Sequence, residues 1–275
     1  SNGTHPRLNS YLYYGSAEGF SERRRRLLPA PLCISVAAAD FNGDGRPDLA
    51  FLCQKGDGSS ETIVRFFYQT ELGFESSRYV DVEIAGDHIA ASDLDGDGYA
   101  DLVVRSAYGE VTVYWGAPEG VAADQASPVP VKVSGDRGSI EVDARLSAAV
   151  IGAAEMELPI VATREVDPHY KEEPKQAEQD AHPLAMVLHL KGVPHILVTD
   201  DESISLVPVS KERRFGKPLE LACQRPMAAA VGDVSGDGHE DLVVACRETY
   251  EEAECSWVYW GGEQGYDDTR RTRLP

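Results

Sequence analysis

The sequence predicts an all-β protein, a propeller of four-stranded blades, on three observations. Short runs rich in Val, Leu and Ala recur along the chain with no convincing amphipathic helix between them. An acidic Asp-Gly loop occurs three times, each copy flanked by two such runs. An aromatic turn recurs in company with these loops, at a period of about 50 residues, which is the mark of a solenoid, propeller or array.

The first unit is partial, over residues 9–32, and carries the turn Tyr13-Tyr14-Gly15-Ser16-Ala17-Glu18-Gly19-Phe20. It matches the second half of a repeat and can complete a blade with neighbouring sequence. Full units follow over 33–86 and 87–140. In the second of these the strands are expected at His88–Asp93, Asp101–Ser106, Glu110–Trp115 and Val129–Val133. Its turn, Tyr114-Trp115-Gly116-Ala117-Pro118-Glu119-Gly120-Val121, resembles Tyr259-Trp260-Gly261-Gly262-Glu263-Gln264-Gly265-Tyr266 in the last unit, over 223–275; Phe67–Phe74 is a looser copy. Between them, two degenerate units are expected over 141–183 and 184–222. The first pairs Ser147–Gly152 with Leu158–Ala162, and the second pairs Leu184–Leu188 with Pro194–Val198, neither retaining an acidic loop. The polar tract 166–182 reads as an exposed insertion. A four-stranded sheet with two apolar faces must be covered on both, and stacking blades around an axis does this.

The loops read Asp40-Phe41-Asn42-Gly43-Asp44-Gly45-Arg46-Pro47-Asp48, Asp93-Leu94-Asp95-Gly96-Asp97-Gly98-Tyr99-Ala100-Asp101 and Asp233-Val234-Ser235-Gly236-Asp237-Gly238-His239-Glu240-Asp241. Oxygen side chains at positions 1, 3, 5 and 9, with Gly at 6, suit a hard cation such as Ca²⁺. Position 7 (Arg46, Tyr99, His239) is expected to offer its backbone carbonyl, which leaves its side chain free to vary. Carboxylates held this close repel one another unless a cation sits among them. About three ions are expected, the second loop having Asp at all four positions and the third a neutral Ser235. An EF-hand is excluded, because position 12 is Phe51, Val104 or Val244 rather than a bidentate Glu.

Composition narrows the function. Lys+Arg is 26 against Asp+Glu 46, a formal charge of −20 that makes nucleic-acid binding through phosphates a poor prospect. With 42% hydrophobic residues in 275 the chain can bury sizeable cores, yet no run of about 18 apolar residues is present to span a membrane. The start, Ser1-Asn2-Gly3-Thr4, lacks a basic-then-apolar signal pattern, so the chain is expected to be processed already or never targeted. Asn2-Gly3-Thr4 is also a glycosylation sequon.

The loops, together with Trp115-Gly116-Ala117-Pro118, resemble FG-GAP/VCBS repeats, the repeats of integrin α-subunit propellers and many secreted bacterial proteins. The resemblance runs from about Asn9 onward. It implies Ca²⁺ in the loops on one propeller face and partners on the opposite face. Integrin-like propellers have seven blades, and this chain has residues for five or six. The family fixes no activity: its members include adhesion modules, lectins and parts of polysaccharide enzymes. The reading taken is a non-enzymatic, calcium-stabilised module for adhesion or partner binding outside the cell. Its rivals are a carbohydrate-binding module, a part of a polysaccharide-degrading enzyme, and a self-assembling subunit pairing through edge strands. No zinc motif, phosphate loop or nucleophile elbow stands in the sequence.

Five cysteines add to this picture. Cys53 and Cys246 are equivalent, each 13 residues after the first Asp of its loop. Reflection about the loop centre puts Cys33 opposite residue 55, close enough for a disulfide with Cys53. Cys246 is paired with Cys255, with Cys223 as competitor; buried thiols are the alternative. With Ca²⁺ this favours secretion. The tracts Arg23–Arg26 and Arg270–Arg273 are read as edge-strand charge in preference to an anion site, and the aromatic pairs as packing in preference to sugar stacking.

Overall fold

The computed structural model describes residues 9–56, 59, 61–131, 185–200, 202–246 and 256–274. Sheet dominates it, in four-stranded antiparallel units of consecutive strands, an arrangement consistent with propeller blades. A hairpin comes first, β1 (Ser10–Tyr13) with β2 (Arg25–Leu28), joined through a single 3-10 turn, Glu22–Arg24. The second sheet is β3 (Cys33–Ala39), β4 (Asp48–Gln54), β5 (Thr62–Phe67) and β6 (Val80–Val82). The third is β7 (His88–Ser92), β8 (Asp101–Arg105), β9 (Val111–Tyr114) and β10 (Ala126–Pro128). The fourth is β11 (Ala185–Leu190), β12 (Val193–Thr199), β13 (Ser203–Pro208) and β14 (Leu219–Ala222). The fifth is β15 (Pro226–Gly232), β16 (Asp241–Cys246), β17 (Trp257–Tyr259) and β18 (Arg271–Arg273).

Why the second strand of each unit is apolar throughout follows from the packing. Successive side chains point to opposite faces of a sheet. On β4, Ala50 and Leu52 enter one core while Leu49, Phe51 and Cys53 enter another. On β8, Leu102 and Val104 join the first of these cores and Val103 joins a third with Ile196, Val198 and Val207. On β12, Leu197 turns the other way to meet Leu242, Val244 and Tyr259. Each core thus lies between two neighbouring sheets, and the sheets stack in series from β1–β2 to β15–β18. Burying each Val, Leu, Ile or Phe among them contributes about 1.5–3 kcal/mol. Among the described residues, none of the four cores holds residues from both ends of the series.

Two expectations are corrected. The fourth strand of the third sheet was placed at Val129–Val133; it is Ala126–Pro128, because Ala126 pairs with Tyr114 directly after the aromatic turn, and after the Val129 amide meets the Val111 carbonyl Pro130 has no amide to continue the ladder. Cys33 lies opposite Cys53 rather than residue 55. The loop closes with Ala39 opposite Asp48, one residue tighter than the reflection assumed, and a bulge between Cys33 and Ser35 removes one more. The sheet β7–β10 packs directly against β11–β14, Trp115 stacking on Phe215 with ring centres 6.2 Å apart. The strands expected within 141–183 and the insertion 166–182 lie outside the described residues.

The bland readings of the arginines and aromatics fit their contacts. Arg25 lies over Tyr11, Arg26 donates to the Phe74 carbonyl, Arg270 donates to the Gly261 carbonyl at 2.6 Å, and Arg271 lies 4.2 Å over Trp257. Trp115 is 4% exposed and its indole N–H donates to Ser127 Oγ.

His88 joins three sheets. Its Nδ1 lies 3.3 Å from Ser35 Oγ, which itself accepts from the Ile89 amide, and the ring also hydrogen-bonds the Ala185 backbone. Burial, helped by the neighbouring Arg105, pushes the imidazole down to about 4. A depressed histidine stabilises the fold as the neutral ring. The contribution, roughly 3 kcal/mol at about 1.4 per pH unit, is complete above pH 6.5 and is lost as pH falls from 6.5 toward 4. The expected outcome is that the His88 ring resonances, followed by NMR, stay at their neutral positions from pH 8 to pH 5; a midpoint near 6.5 contradicts this account.

Candidate metal centre

Each acidic loop joins the first two strands of a sheet, after β3, β7 and β15. The backbone turns sharply at two glycines: Gly43 and Gly45, Gly96 and Gly98, Gly236 and Gly238 all have φ between +70° and +93°, where a side chain is strained. The first aspartate accepts the amides inside this turn. Asp40 takes Asp44 and Gly45; Asp93 takes Gly96, Asp97 and Gly98; Asp233 takes Gly236, Asp237 and Gly238. These amides, that of Gly238 foremost, hold the Asp233 carboxyl below its usual range. At position 3, Asn42 and Asp95 accept the amide of position 5. Position 5 in turn accepts the amide of position 7, so Asp44, Asp97 and Asp237 bind Arg46, Tyr99 and His239.

The last aspartate does something different. Asp48, Asp101 and Asp241 are completely buried. One oxygen of each accepts the amide of loop position 2: Phe41 at 3.0 Å, Leu94 at 2.8 Å, Val234 at 2.9 Å. The other reaches across to the end of the third strand and accepts Gln69 at 2.7 Å, Gly116 at 2.7 Å or Gly261 at 2.8 Å. This carboxylate therefore ties loop, second strand and aromatic turn together. Gly116 and Gly261 are required there: a Cβ would stand 2.5 Å from the Ala100 carbonyl oxygen and 2.1 Å from that of Glu240. Burial, opposed by the two amides and aided by nearby aspartates, pushes Asp48 up to about 6 and Asp101 up to about 7.

The second loop brings most of its predicted ligands together. Asp93, Asp95 and Asp101 offer oxygens all within 4.8 Å of one another, and among the described residues no other three His, Cys, Asp or Glu side chains meet as closely. The donor set is all oxygen, with neither imidazole nor thiolate, which fits a hard cation. Asp97 is turned toward Arg213. In the first loop Asp44 pairs with Arg46 at 2.5 Å, and in the third Ser235 Oγ lies 3.4 Å from Asp233.

What covers the loops was not legible in the sequence. Tyr99 of the second loop lies against Gly43 of the first, and the Ala100 amide donates to the Asp40 carbonyl at 2.8 Å. Over the second loop stands the β13–β14 connection. There Arg213 Nε donates to Asp95 at 2.6 Å and Nη2 to Asp97 at 3.1 Å and the Gly116 carbonyl at 3.3 Å, with the guanidinium 5.3 Å from the Trp115 ring. The residues of the third loop are largely exposed. The loop's counterpart in the fourth sheet is only the two-residue hairpin Lys191-Gly192, with φ of +51° and +74°.

Comparison with known proteins agrees with these repeats. The FG-GAP repeat family matches residues 34–51 and 85–114, which take in the first two loops with strands on either side, and this supports an FG-GAP repeat protein. No curated protein matches the chain.

Replacing Asp101 by Ala leaves the Leu94 and Gly116 amides buried without acceptors, at about 1–3 kcal/mol each. Urea denaturation in excess chelator is expected to show a loss of roughly 3 kcal/mol for Asp101→Ala and a smaller one for Asp101→Asn, which keeps one acceptor oxygen. Equal, negligible losses contradict the bridging role.

Proposed function

We propose that this chain is a calcium-stabilised propeller module that acts outside the cell as a binding surface for another protein, without catalysis of its own. The observation that carries the reading is the convergence of Asp93, Asp95 and Asp101 in an all-oxygen loop whose turn recurs three times. The ions would be held by Asp40, Asn42, Asp44 and Asp48, by Asp93, Asp95, Asp97 and Asp101, and by Asp233, Ser235, Asp237 and Asp241, with the carbonyls of Arg46, Tyr99 and His239. A bound ion supplies charge neutralisation, and its binding free energy adds to folding stability. FG-GAP repeats occur in integrin-like propellers, which suits a binding module, and proteins with them are typically extracellular or on the cell surface. Among the described residues no helix is long and apolar enough to cross a membrane.

Cysteine placement supports the same compartment. Cys33 and Cys53 face each other in register, and Cys223 Sγ lies 3.3 Å from Cys246 Sγ. Both pairs sit at the end of the first hairpin away from its acidic loop. Cys255, the other partner considered for Cys246, lies outside the described residues. Each pair would close as two thiols lose two electrons and two protons to a disulfide-form oxidant.

A glycan is the second reading for the partner, favoured by Tyr11, Tyr13, Tyr14 and Phe20, which lie exposed on or beside the first hairpin. Buried Trp115 does not favour it.

Calcium at a hundredfold excess over Kd is expected to add about 2.7 kcal/mol per site. The thermal midpoint should rise with Ca²⁺, fall with chelator, and lose part of the rise in Asp95→Ala. A midpoint indifferent to chelator overturns the calcium reading. Peptide mapping of the unreduced, secreted chain should recover Cys33 linked to Cys53 and Cys223 to Cys246; four alkylatable thiols would overturn the pairing. Binding of the calcium-loaded chain to immobilised matrix proteins but not to a glycan array separates the two partner classes.

A further inference from the structure

We infer that Arg213 is a built-in counter-cation of the second loop, which competes with the metal for Asp95 and Asp97 and so weakens that loop's affinity for calcium. The inference rests on the calcium reading above and adds a residue that the acidic motif does not contain.

Three observations lead there. The first concerns which oxygens Arg213 takes. In Asp95 and Asp97 one carboxylate oxygen is used inside the turn, accepting the Asp97 and Tyr99 amides respectively. Arg213 binds the other oxygen of each, the one left for an ion. The second is burial. Asp95 has a side chain only 3% exposed, so its charge needs a partner when no ion is present, and the guanidinium supplies one. The third is the way Arg213 is presented. Val209 and Phe215 bridge the base of a short turn, the Ser210 amide donates to the Arg214 carbonyl, and Arg213 sits in that turn at φ +59°. A non-glycine residue in this region is strained, and strained residues persist where surrounding contacts hold them. Here the contacts are Asp95, Asp97, the Gly116 carbonyl and the face of Trp115. Lys211 of the same turn lies beside Gly96, bringing a second cation to the loop.

Arg213 belongs to the fourth sheet's connection and the loop to the third sheet. Calcium entering the second loop must therefore loosen the turn 210–214 of its neighbour. The loop richest in aspartate then binds calcium less tightly than its ligand count suggests.

The test is a titration with Tb³⁺ alone, excited through Trp115, with Asp95→Asn defining the part of the signal due to this loop, and with Ca²⁺ as competitor. Arg213→Gln should tighten binding at this loop about tenfold, and Arg213→Lys, whose single ammonium cannot take both carboxylates, should fall between. Circular dichroism confirms that each variant is folded, and Arg213→Lys retains the test if Arg213→Gln does not fold. Amide exchange over 210–214 should quicken when the wild-type chain is loaded with Ca²⁺. Equal affinities in wild type and the Arg213 variants, or no change in exchange, overturns the competition while leaving the calcium reading in place. No Asp95-dependent signal in wild type together with a signal in Arg213→Gln supports it strongly. No ion bound by any folded variant defeats the calcium reading, and the competition with it.

Discussion

A buried carboxylate that must accept backbone amides from both the loop and the end of the third strand sets the geometry of every acidic hairpin here. Asp48, Asp101 and Asp241 are fully buried, which is costly for an acid unless its oxygens are satisfied. One oxygen is satisfied by the loop and the other by the residue that follows the third strand. The distance between those amides is therefore fixed, and with it the placement of the aromatic turn over the loop. The glycines after Trp115 and Trp260 follow from the same constraint, since the chain passes against a carbonyl with no room for a side chain. The turn and the acidic-loop motif, seen as two landmarks in the sequence, are halves of one hydrogen-bonded device.

Outward from this device, the first two loops depend on what the next sheet lays over them. Tyr99 covers the first loop and Arg213 the second. Where a successor keeps its acidic loop, the cover is an aromatic ring and a backbone hydrogen bond; where the successor has shrunk to Lys191-Gly192, a basic turn comes in from another part of that sheet. Three loops alike in sequence thus stand in unlike electrostatic surroundings, which local spacing does not express.

The sequence made the repeated units legible because their signal is local: period-two apolar runs, Asp-Gly turns and an aromatic turn at fixed offsets. It also marked all four carboxylates of the second loop. It did not separate their tasks, since position 9 is an aspartate whether it braces backbone or meets an ion, and only burial distinguishes Asp101 from Asp97. Register was missed by two residues at Cys33, one because the loop closes tighter than its symmetric reflection and one because a bulge leaves no mark in composition. Arg213 was missed because it lies 118 positions from Asp95, in a stretch with no motif of its own.

The bulges near the cysteines carry a consequence for how these sheets come apart. In β3–β4 the ladder shifts between Cys33 and Ser35, and in β15–β16 between Pro226 and Ala228, while the far end of each ladder is tied by Asp48 or Asp241. Sliding such a pair by one step would swap its two apolar faces and strand both anchors at once. Slippage is closed as an escape route, so each of these two pairs can separate only by breaking its ladder outright, not by creeping along it.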